Sequence, residues 1–427
     1  MSAFVVIGGQ WGDEGKGRTV DLLAQEATIV ARYSAGNNAG HTVINQLGKF
    51  ALHLVPAGIF YPEKLCLIGN GVMVDPEVLL EEIEQLESRG VSTKNLYVSD
   101  RAQVLLPYHR MLDELEEQAR GDAALGTTHR GVGPAFVDKV AREGVRMADL
   151  VDPEALRTRL ELLLPKKNRV LERLYDAPPF EFDPLYSALV EQGCKLKPHV
   201  RDTSALVREA LERGEQVLLE GAQGSLLDLD AGTYPYVTSS TPSSLAGGAS
   251  IGIGIGPTQI ERVVGVYKAY MTRVGNGPMP TELLDETGDI LREEGPEPEF
   301  GATTGRPRRC GWFDAVASRY SVQVNGVTSA VLSRLDVLDN FPSIEICTSY
   351  TVDGEPLESF PSTTAVLERA LPVYEEHAGW RQSTSGIRRF DELPKEAQSY
   401  VERIEALLGC PIAYVSVGPE REQMIIR

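Results

Sequence analysis

The residues whose types and spacing most clearly suggest chemistry lie near the N-terminus, in the glycine-rich stretch of residues 8–21, GGQWGDEGKGRTVD. It contains five glycines, Lys16 and several acidic residues, and it directly follows the apolar run of residues 4–7. A strand, a glycine-rich loop and a helix in this order present backbone N–H groups and a helix N-terminus to a phosphate. The stretch therefore predicts a nucleotide-binding loop.

This loop departs from a regular P-loop. The usual pattern, which ends in Gly-Lys-Ser/Thr, would have its first glycine at Gln10 and its magnesium-binding hydroxyl at Gly17. Asp13 lies inside the loop, where a carboxylate repels phosphate unless Mg²⁺ lies between them or the carboxylate acts as a base. The pairing of Asp13 with Lys16 favours catalysis over the alternative of an ordinary glycine-rich turn.

Three further loops carry polar side chains among glycines. Residues 34–42 (SAGNNAGHT) include His41, residues 126–134 (GTTHRGVGP) offer two threonine hydroxyls, and residues 220–224 (EGAQG) follow a strand and carry Gln223. Loops at the carboxyl ends of neighbouring parallel strands converge on one crevice, so His41 and Asp13 can meet the same ligand. Each loop also has a purely structural alternative, in which His41 or Gln223 satisfies local hydrogen bonds and the threonine loop only turns the chain.

Residues 300–311 (FGATTGRPRRCG) form the densest basic cluster of the chain. Arginines hold carboxylates and phosphates in bidentate fashion, and the flanking glycines suit a mobile loop, so ligand binding is favoured over a solvated charge run. A second candidate for ligand binding is Asp336, the last residue of SRLD (residues 333–336), which follows the strand-like residues 329–332. A carboxylate there can accept two N–H bonds from the Watson–Crick edge of guanine, although capping of the next segment is its commoner role.

Composition limits the classes of protein. A net charge of −19 argues against nucleic acid or an anionic membrane as the main partner, because both need a basic face. We expect a cytoplasmic protein, because no basic and apolar leader and no long apolar run is present. The five cysteines are widely spaced without a CxxC pair, which indicates reduced thiols and no zinc site.

The elements that must position these residues alternate along the chain. Strand-like runs occur at residues 4–7, 29–33, 65–68, 96–98, 216–219, 263–267, 329–332 and 412–417. Helical patterns occur at residues 76–89, 107–119, 153–175, 203–213, 314–324 and 394–408. The alternation predicts an α/β fold with a large, mainly parallel central sheet flanked by helices, and a mainly helical insertion at about residues 150–200.

Eight motifs, taken in order, resemble the adenylosuccinate synthetase family over essentially the whole chain: WGDEGKG, NNAGHT, GTTxRGVGP, VDKVAR, EGAQG, GTYPYVTSS, EFGATTGRPRR and VSVGPER. The resemblance implies one domain over residues 1–427, related to P-loop nucleotide hydrolases, and a homodimer. It also implies the first committed step of AMP synthesis from IMP: the Mg²⁺-dependent ligation of IMP and L-aspartate to adenylosuccinate, while GTP becomes GDP and phosphate.

The resemblance also implies roles for individual residues. Asp13 would remove the N1 proton of IMP so that O6 attacks the γ-phosphate of GTP, giving 6-phosphoryl-IMP, and His41 would act as proton donor. Lys16 and Gln223 complete the catalytic set. One Mg²⁺ per subunit would be held by Asp13 and the carbonyl of Gly40.

The substrate contacts implied by the resemblance fall into three sets. GTP would meet Gly12, Asp13, Glu14, Gly15, Lys16, Gly17, Arg18, Gly40, His41, Thr42, Arg308, Arg334, Leu335, Asp336, Ser416, Val417 and Gly418. IMP would meet Asp13, Glu14, Gly15, Lys16, Asn38, Ala39, Gly40, His41, Thr128, Gln223, Thr238 and Arg306, together with Arg142 of the second subunit. L-Aspartate would meet Thr303, Thr304, Gly305, Arg306, Pro307, Arg308 and Arg309.

Three positions depart from the family pattern. Arg334 stands in SRLD where TKLD is usual, Arg18 replaces a frequent lysine, and His129 replaces a common glycine. Because Asp336 is kept, we expect GTP preference to be retained. The competing hypotheses are a related synthetase that acts on a guanine nucleotide, a GTP-binding regulatory protein without ligase activity, and a small-molecule kinase. The presence of Asp13, His41 and the arginine loop argues against the first two.

Overall fold

One sheet takes its strands from both ends of the chain and carries the loops of interest at one edge. The computed structural model describes residues 2–45, 47–241, 243–295, 297–301 and 305–427. The strands are β1 Ala3–Gly8, β2 Ile29–Arg32, β3 His41–Asn45, β4 Gly48–Leu52, β5 Leu65–Ile68, β6 Met73–Val74, β7 Leu96–Ser99, β8 Gln103–Val104, β9 Val200–Arg201, β10 Val217–Glu220, β11 Ile260–Lys268, β12 Met271–Arg273, β13 Arg309–Gly311, β14 Phe313–Asp314, β15 Ser329–Ser333, β16 Ser343–Val352, β17 Glu355–Leu357, β18 Leu371–Ala378, β19 Ile412–Ser416 and β20 Met424–Ile426.

Helices cover the faces of this sheet and form the predicted insertion. They are α1 Lys16–Leu23, α2 Pro76–Ser88, α3 Pro107–Arg120, α4 Val132–Ala141, α5 Met147–Leu150, α6 Pro153–Tyr175, α7 Phe182–Leu196, α8 Thr203–Glu212, α9 Ala246–Ile253, α10 Glu286–Glu293, α11 Ala315–Asn325, α12 Thr364–Leu367 and α13 Lys395–Leu408. No helix within the described residues is both long enough and apolar enough to cross a membrane.

The main sheet has the strand order β20-β19-β15-β11-β1-β10-β2-β5-β7-β9, and its neighbours are parallel except for the antiparallel pair β19 and β20. Along β1, Val5 and Ile7 pack into one buried cluster, while Phe4 and Val6 pack into another. Burial on both faces explains why the central strands are continuous apolar runs. The predicted α/β fold with a large, mainly parallel sheet is confirmed.

The segment at about residues 150–200, predicted to be a mainly helical insertion, contains the helices α6 and α7. The side chain of Asp152 accepts hydrogen bonds from the backbone N–H groups of Glu154 and Ala155, and Pro153 occupies the first turn. An aspartate cap followed by proline is a strong helix start.

The hairpin of β3 and β4 departs from the sequence prediction for residues 34–42. These residues were expected to form a loop, but His41 begins strand β3.

Candidate active site

A cavity of about 620 Å³ opens beside the loops that follow β1, β2, β10 and β15. This is the edge of a parallel sheet where ligands usually bind. Of the residues predicted to bind or react, the cavity is lined by Gly12, Asp13, Gly15, Lys16, Gly17, Arg18, Asn38, Ala39, Gly40, His41, Thr42, Thr128, Gln223, Thr238, Arg306, Arg308 and Arg334. The four predicted catalytic residues therefore face one space.

The first loop is folded around the buried carboxylate of Glu14. Its Oε1 accepts hydrogen bonds from the backbone N–H groups of Gln10 at 3.0 Å and Gly12 at 2.9 Å, and its Oε2 pairs with Lys16 Nζ at 2.6 Å. Asp13 adopts the left-handed conformation with φ 59°, which few residues other than glycine and Asn or Asp tolerate. Glu14 thus organises the loop, and Asp13 is left to face the cavity.

The loop after β10 packs against the first loop at backbone distance. A Cβ added to Gly224 would lie 2.2 Å from the carbonyl oxygen of Gln10 and 2.3 Å from the nitrogen of Gly12. The neighbouring Gln223 has φ 65°, and its buried side-chain nitrogen has no hydrogen-bond partner in the described part of the chain. A buried donor without a partner beside a cavity fits a group that binds a ligand oxygen.

Replacing Gly224 with alanine is expected to push these two loops apart. Overpacking against rigid backbone costs about 1–3 kcal/mol of unfolding free energy, and catalysis suffers in addition because Asp13 and Gln223 move relative to each other. Thermal unfolding and steady-state turnover of the variant measure both effects. Gly247→Ala is the matched control, because a Cβ there meets nothing within 4 Å. An unperturbed Gly224→Ala enzyme would contradict the close packing of the loops.

His41 is paired with a carboxylate that the sequence analysis did not assign. Its Nδ1 makes a short contact with Glu220 Oε1, and Glu220 Oε2 accepts a hydrogen bond from the backbone N–H of Ala57 at 2.8 Å. Burial lowers the pKa of His41, and Glu220 opposes this shift. Burial alone would raise the pKa of Glu220, but the charge of His41 and their hydrogen bond hold it below its ordinary value. The pair fixes the imidazole with Nε2 available to a ligand.

The threonine loop is fastened by two acidic side chains of α3. Glu117 accepts hydrogen bonds from the backbone N–H groups of Leu125, Gly126 and Thr127, and Asp113 accepts one from the Thr127 hydroxyl at 2.9 Å. These contacts place Thr128 at the cavity. His129 is exposed and has φ 54°, a left-handed conformation in which the glycine common at this position would meet no steric penalty.

Arg308 joins the arginine loop to the first loop. Its Nε donates to Asp13 Oδ2 at 2.8 Å, and its Nη1 makes a short contact with Glu299 Oε2. Glu299 is fully buried, and each of its two carboxylate oxygens accepts a hydrogen bond from Lys268 Nζ at 2.8 Å. Burial alone would raise the pKa of Glu299, but Lys268 and the nearby arginines hold it well below its ordinary range. Asp13 is therefore bound by an arginine.

A smaller recess next to the main cavity is lined by Arg18, Glu297, Arg334, Asp336, Gly418 and Pro419. Arg18 Nη1 donates to the Ser416 hydroxyl at 2.7 Å, and Arg334 Nη2 donates to the Glu297 carbonyl at 2.6 Å. Arg334 has φ 62° and begins the short turn that carries Asp336. The recess therefore places Asp336, the carboxylate predicted to read the base, beside Arg18 of α1, the helix that follows the first loop.

Some predicted residues lie away from both spaces. Within the described part of the chain, neither the cavity nor the recess is lined by Glu14, Arg142, Gly305, Pro307, Arg309, Leu335, Ser416 or Val417. Thr303 and Thr304 lie outside the described residues. Sequence reasoning missed Asp113, Glu117, Glu220 and Glu299. Glu220 and Glu299 were visible as members of the EGAQG and EFGATTGRPRR motifs, whereas the two acidic residues of α3 gave no signal.

Comparison with known proteins shows which family the chain belongs to. A family profile described as adenylosuccinate synthetase matches residues 5–425. The chain belongs to this family. It is 53% identical over 427 residues to adenylosuccinate synthetase of Dehalococcoides mccartyi, covering 100% of both chains. It is 54% identical over 425 residues to the Heliobacterium modesticaldum adenylosuccinate synthetase, covering 100% of this chain and 99% of the relative.

Solved structures agree with the family and the fold. The fully ligated adenylosuccinate synthetase of Plasmodium falciparum matches with a TM-score of 0.93 and 37% identity, covering 100% of this chain and 99% of that one. The cyanophage S-2L succinoaminodeoxyadenylate synthetase, bound to dGMP and dATP, matches with a TM-score of 0.63 and 22% identity, covering 100% and 95%. The second likeness shows a shared fold alone. The prediction of an adenylosuccinate synthetase, a GTP-dependent ligase of IMP and L-aspartate, is confirmed.

Proposed function

We propose that this chain ligates IMP and L-aspartate through a 6-phosphoryl-IMP intermediate formed in the described cavity. The observation that carries the proposal is the convergence of Asp13, Lys16, His41 and Gln223 on one space. Hypoxanthine O6 is a poor leaving group, so it must be activated before an amine can displace it. The four side chains supply a base, a cation, a proton donor and an amide, which are the groups such an activation needs.

The first step transfers a phosphoryl group. Asp13 takes the N1 proton of IMP, O6 attacks the γ-phosphorus of GTP, and GDP leaves. Lys16 and His41 offset the charge of the transferring group, because this chemistry proceeds mainly by positioning and electrostatics. Burial lowers the pKa of His41, so the proton it donates is held there by Glu220 and by the arriving phosphates. In the second step the amine of aspartate attacks C6 and phosphate leaves, with Gln223 orienting the base through a neutral hydrogen bond.

Asp13 can act as a base only when it is released from Arg308. The contact of 2.8 Å between Arg308 Nε and Asp13 Oδ2 occupies a carboxylate oxygen that would otherwise be open to the N1 proton. Arg308 lies in the loop proposed to bind the carboxylates of aspartate and phosphates of GTP. We expect arriving anions to pair with Arg308 in place of Asp13, so that the contact is lost and Asp13 becomes a base when the substrates are present.

Asp13 and the carbonyl of Gly40 would hold one Mg²⁺ per subunit. Both atoms belong to cavity-lining residues, and the carboxylate of Asp13 is 30% exposed, so it is open to a ligand from the solvent side. The donor set is hard oxygen, which Mg²⁺ prefers, and this ion commonly takes few protein ligands beside phosphate oxygens and water. When bound, the ion would offset the negative charge of the GTP phosphates.

The recess around Asp336 would bind guanine. Its carboxylate offers two acceptors for the N1–H and N2–H donors of guanine, and adenine has no such donor pair. Arg334 and Arg18 would flank the base in the positions where the family commonly has lysine. A planar guanidinium can stack on a base as the lysine stem does, so the substitution is compatible with GTP.

The proposed assembly is a homodimer in which Arg142 contacts IMP in the neighbouring subunit. Arg142 follows the last residue of α4 in a left-handed conformation and is exposed. The same helix exposes Val137 at 66% and Val140 at 69%, an apolar face that a second copy of the chain would cover. We further propose one domain over residues 1–427, which the sheet spanning Ala3 to Ile426 supports, and a cytoplasmic location, which free thiols suit.

The test is ultraviolet absorbance near the adenylosuccinate band. Purified protein is given IMP, GTP, Mg²⁺ and L-aspartate, with controls that omit each component and one in which ATP replaces GTP. A rise that needs all four components supports the proposal, and failure of ATP supports guanine recognition by Asp336. A phosphorylated product that accumulates over many turnovers, with no free phosphate released when aspartate is added, would point to a kinase. Bound nucleotides without any product would point to the altered-substrate or regulatory alternatives.

Replacing Arg306 with leucine should chiefly raise the KM for aspartate. Arg306 lines the cavity and its Nη2 donates to the carbonyl of Gly126 at 3.0 Å, which directs the guanidinium toward the threonine loop. Loss of a charged hydrogen-bond donor to a carboxylate costs about 1.5–3 kcal/mol, or roughly tenfold to a hundredfold in KM. Initial rates at varied aspartate measure this, with the exposed Arg389→Leu as control. An unchanged KM would remove Arg306 from the aspartate site.

A further inference from the structure

Glu299 is a buried carboxylate that touches three cations and a hydroxyl. Its side chain is 0% exposed, its oxygens each lie 2.8 Å from Lys268 Nζ, and its Oε1 lies 3.4 Å from Arg334 Nε. Its Oε2 makes a short contact with Arg308 Nη1, and the hydroxyl of Tyr270 donates to Oε1. Burying a charge is costly unless it is well paired, so these partners are held in a defined geometry.

Two of these cations, Arg334 and Arg308, face the binding sites proposed for different substrates. Arg334 lines the recess with Asp336, where the base of GTP would bind. Arg308 lines the main cavity and binds Asp13, the proposed base. Lys268 is fully buried and lines neither space within the described residues. Glu299 is therefore the single side chain in this group that both substrate-facing arginines contact.

The backbone around Glu299 is fastened to the same two arginines. The Arg308 N–H donates to the Glu299 carbonyl at 2.9 Å, and the Gly301 N–H donates to the Arg306 carbonyl at 2.8 Å. Arg334 Nη2 donates to the carbonyl of Glu297, two residues before Glu299. A displacement of Arg334 therefore acts on Glu297, and Glu297 lies in the segment directly before the arginine loop of residues 300–311.

We propose that Glu299 is a positioning residue that couples the recess around Asp336, the proposed pocket for the guanine base, to the arginine loop of residues 300–311. Glu299 holds Arg308 in place when Asp13 is released from it. Glu299 also makes the position of Arg308 depend on the position of Arg334. This inference rests on the proposed placement of GTP and aspartate.

The physical reason lies in the shared partners of Arg308. If Asp13 turns to the N1 proton of IMP, a buried guanidinium loses one of its two anions. A remaining bond to Glu299 keeps the arginine paired, so its release from Asp13 costs less than the loss of its last partner would. Arg334 lies against Oε1 and Arg308 against Oε2 of Glu299, so the two cations share one negative charge. A base that draws Arg334 away therefore changes how firmly Glu299 holds Arg308. Binding of nucleotide and of aspartate is then linked, and linkage of this kind is reciprocal.

The test is a double-mutant cycle read on the KM for aspartate at saturating GTP. Glu299→Gln keeps the shape and removes the charge, and Arg334→Leu removes the other end of the coupling. We expect each single variant to raise the KM for aspartate by about tenfold, within the range usual for coupled sites, and the double variant to raise it no further than the larger single effect. Independent effects that multiply to about a hundredfold would overturn the coupling.

A structural role alone gives a different pattern. In that case Glu299→Gln lowers the melting temperature and kcat but leaves the KM for aspartate unchanged, and this outcome would overturn the proposal. Tyr270→Phe is the matched control, because it removes a hydrogen bond to the same carboxylate but keeps the charge of Glu299 and both arginine side chains. It should leave the KM for aspartate and for GTP unchanged. If Glu299→Gln does not fold, Glu299→Asp takes its place in the cycle, since it keeps the charge beside Lys268 but shortens the reach to both arginines.

Failure of the coupling and failure of the proposed function are separable. Wild-type turnover in the four-component absorbance assay tests the function, and the ratio of KM values among the variants tests the coupling. A wild-type enzyme that makes adenylosuccinate, with variants whose aspartate KM stays at the wild-type value, would contradict only the role of Glu299.

Discussion

Replacing Asp13 with alanine is expected to lower kcat by about a hundredfold to ten-thousandfold, close to a loss of turnover, while IMP and GTP still bind. Without the carboxylate nothing in the described part of the first loop can take the N1 proton, because Glu14 is buried and already paired with Lys16. O6 of IMP then stays a weak nucleophile. Initial rates in the absorbance assay measure the loss, and calorimetric titration with each nucleotide measures binding.

The variant should remain folded, which makes this result interpretable. Arg308 loses its contact with Asp13 but keeps the buried carboxylate of Glu299, so no buried cation is left without an anion. Asp13→Asn is the conservative companion, because the amide keeps the size of the side chain and lacks its basicity. Turnover near the wild-type level in either variant would contradict the assignment of Asp13 as the base.

Much of the main sheet could be predicted because its signals are local. β1 and β5 are short apolar runs buried on both faces, and α6 starts with an aspartate cap and a proline, so it was predicted with the boundaries that the structure has. The pair β16 and β18 was missed. Residues of β18 alternate between exposed and half-buried and include charged side chains, so the strand is defined by pairing with distant β16 rather than by its own composition.

The same distinction, between local signals and contacts with distant residues, separates the site residues that were predicted from those that were missed. Asp13 and Gln223 lie in loops directly after buried strands, and His41 begins the strand that follows the loop after β2. The rule for parallel sheets brings such loops together. Glu220 and Glu299 could not be assigned from sequence, because their roles come from contacts with residues 179 and 31 positions away, His41 and Lys268. A carboxylate in a motif indicates chemistry, but only the fold shows whether it touches a ligand or another side chain.

Replacing His41 with alanine should lower kcat by about a hundredfold to a thousandfold, with a smaller effect on the KM values, because its charge is used mainly on the transferring phosphoryl group. Single-turnover formation of GDP in the presence of IMP reports this step. His377→Ala is a matched control, because His377 also pairs with a carboxylate, Glu375, at 3.1 Å but lies on β18, and in the described residues it does not line the cavity.

The companion variant Glu220→Gln tests how His41 acts. With Nδ1 bonded to an ionised Glu220, a protonated imidazole can donate from Nε2, which has no other hydrogen-bond partner in the described structure and can therefore serve the phosphoryl oxygen. Glutamine keeps a hydrogen bond but removes the negative charge that stabilises the imidazolium, so kcat should fall by about tenfold to a hundredfold. The fall should vanish in the His41→Ala background, because Glu220 acts only through the ring. Additive losses would mean that Glu220 serves the sheet and Ala57 rather than the imidazole.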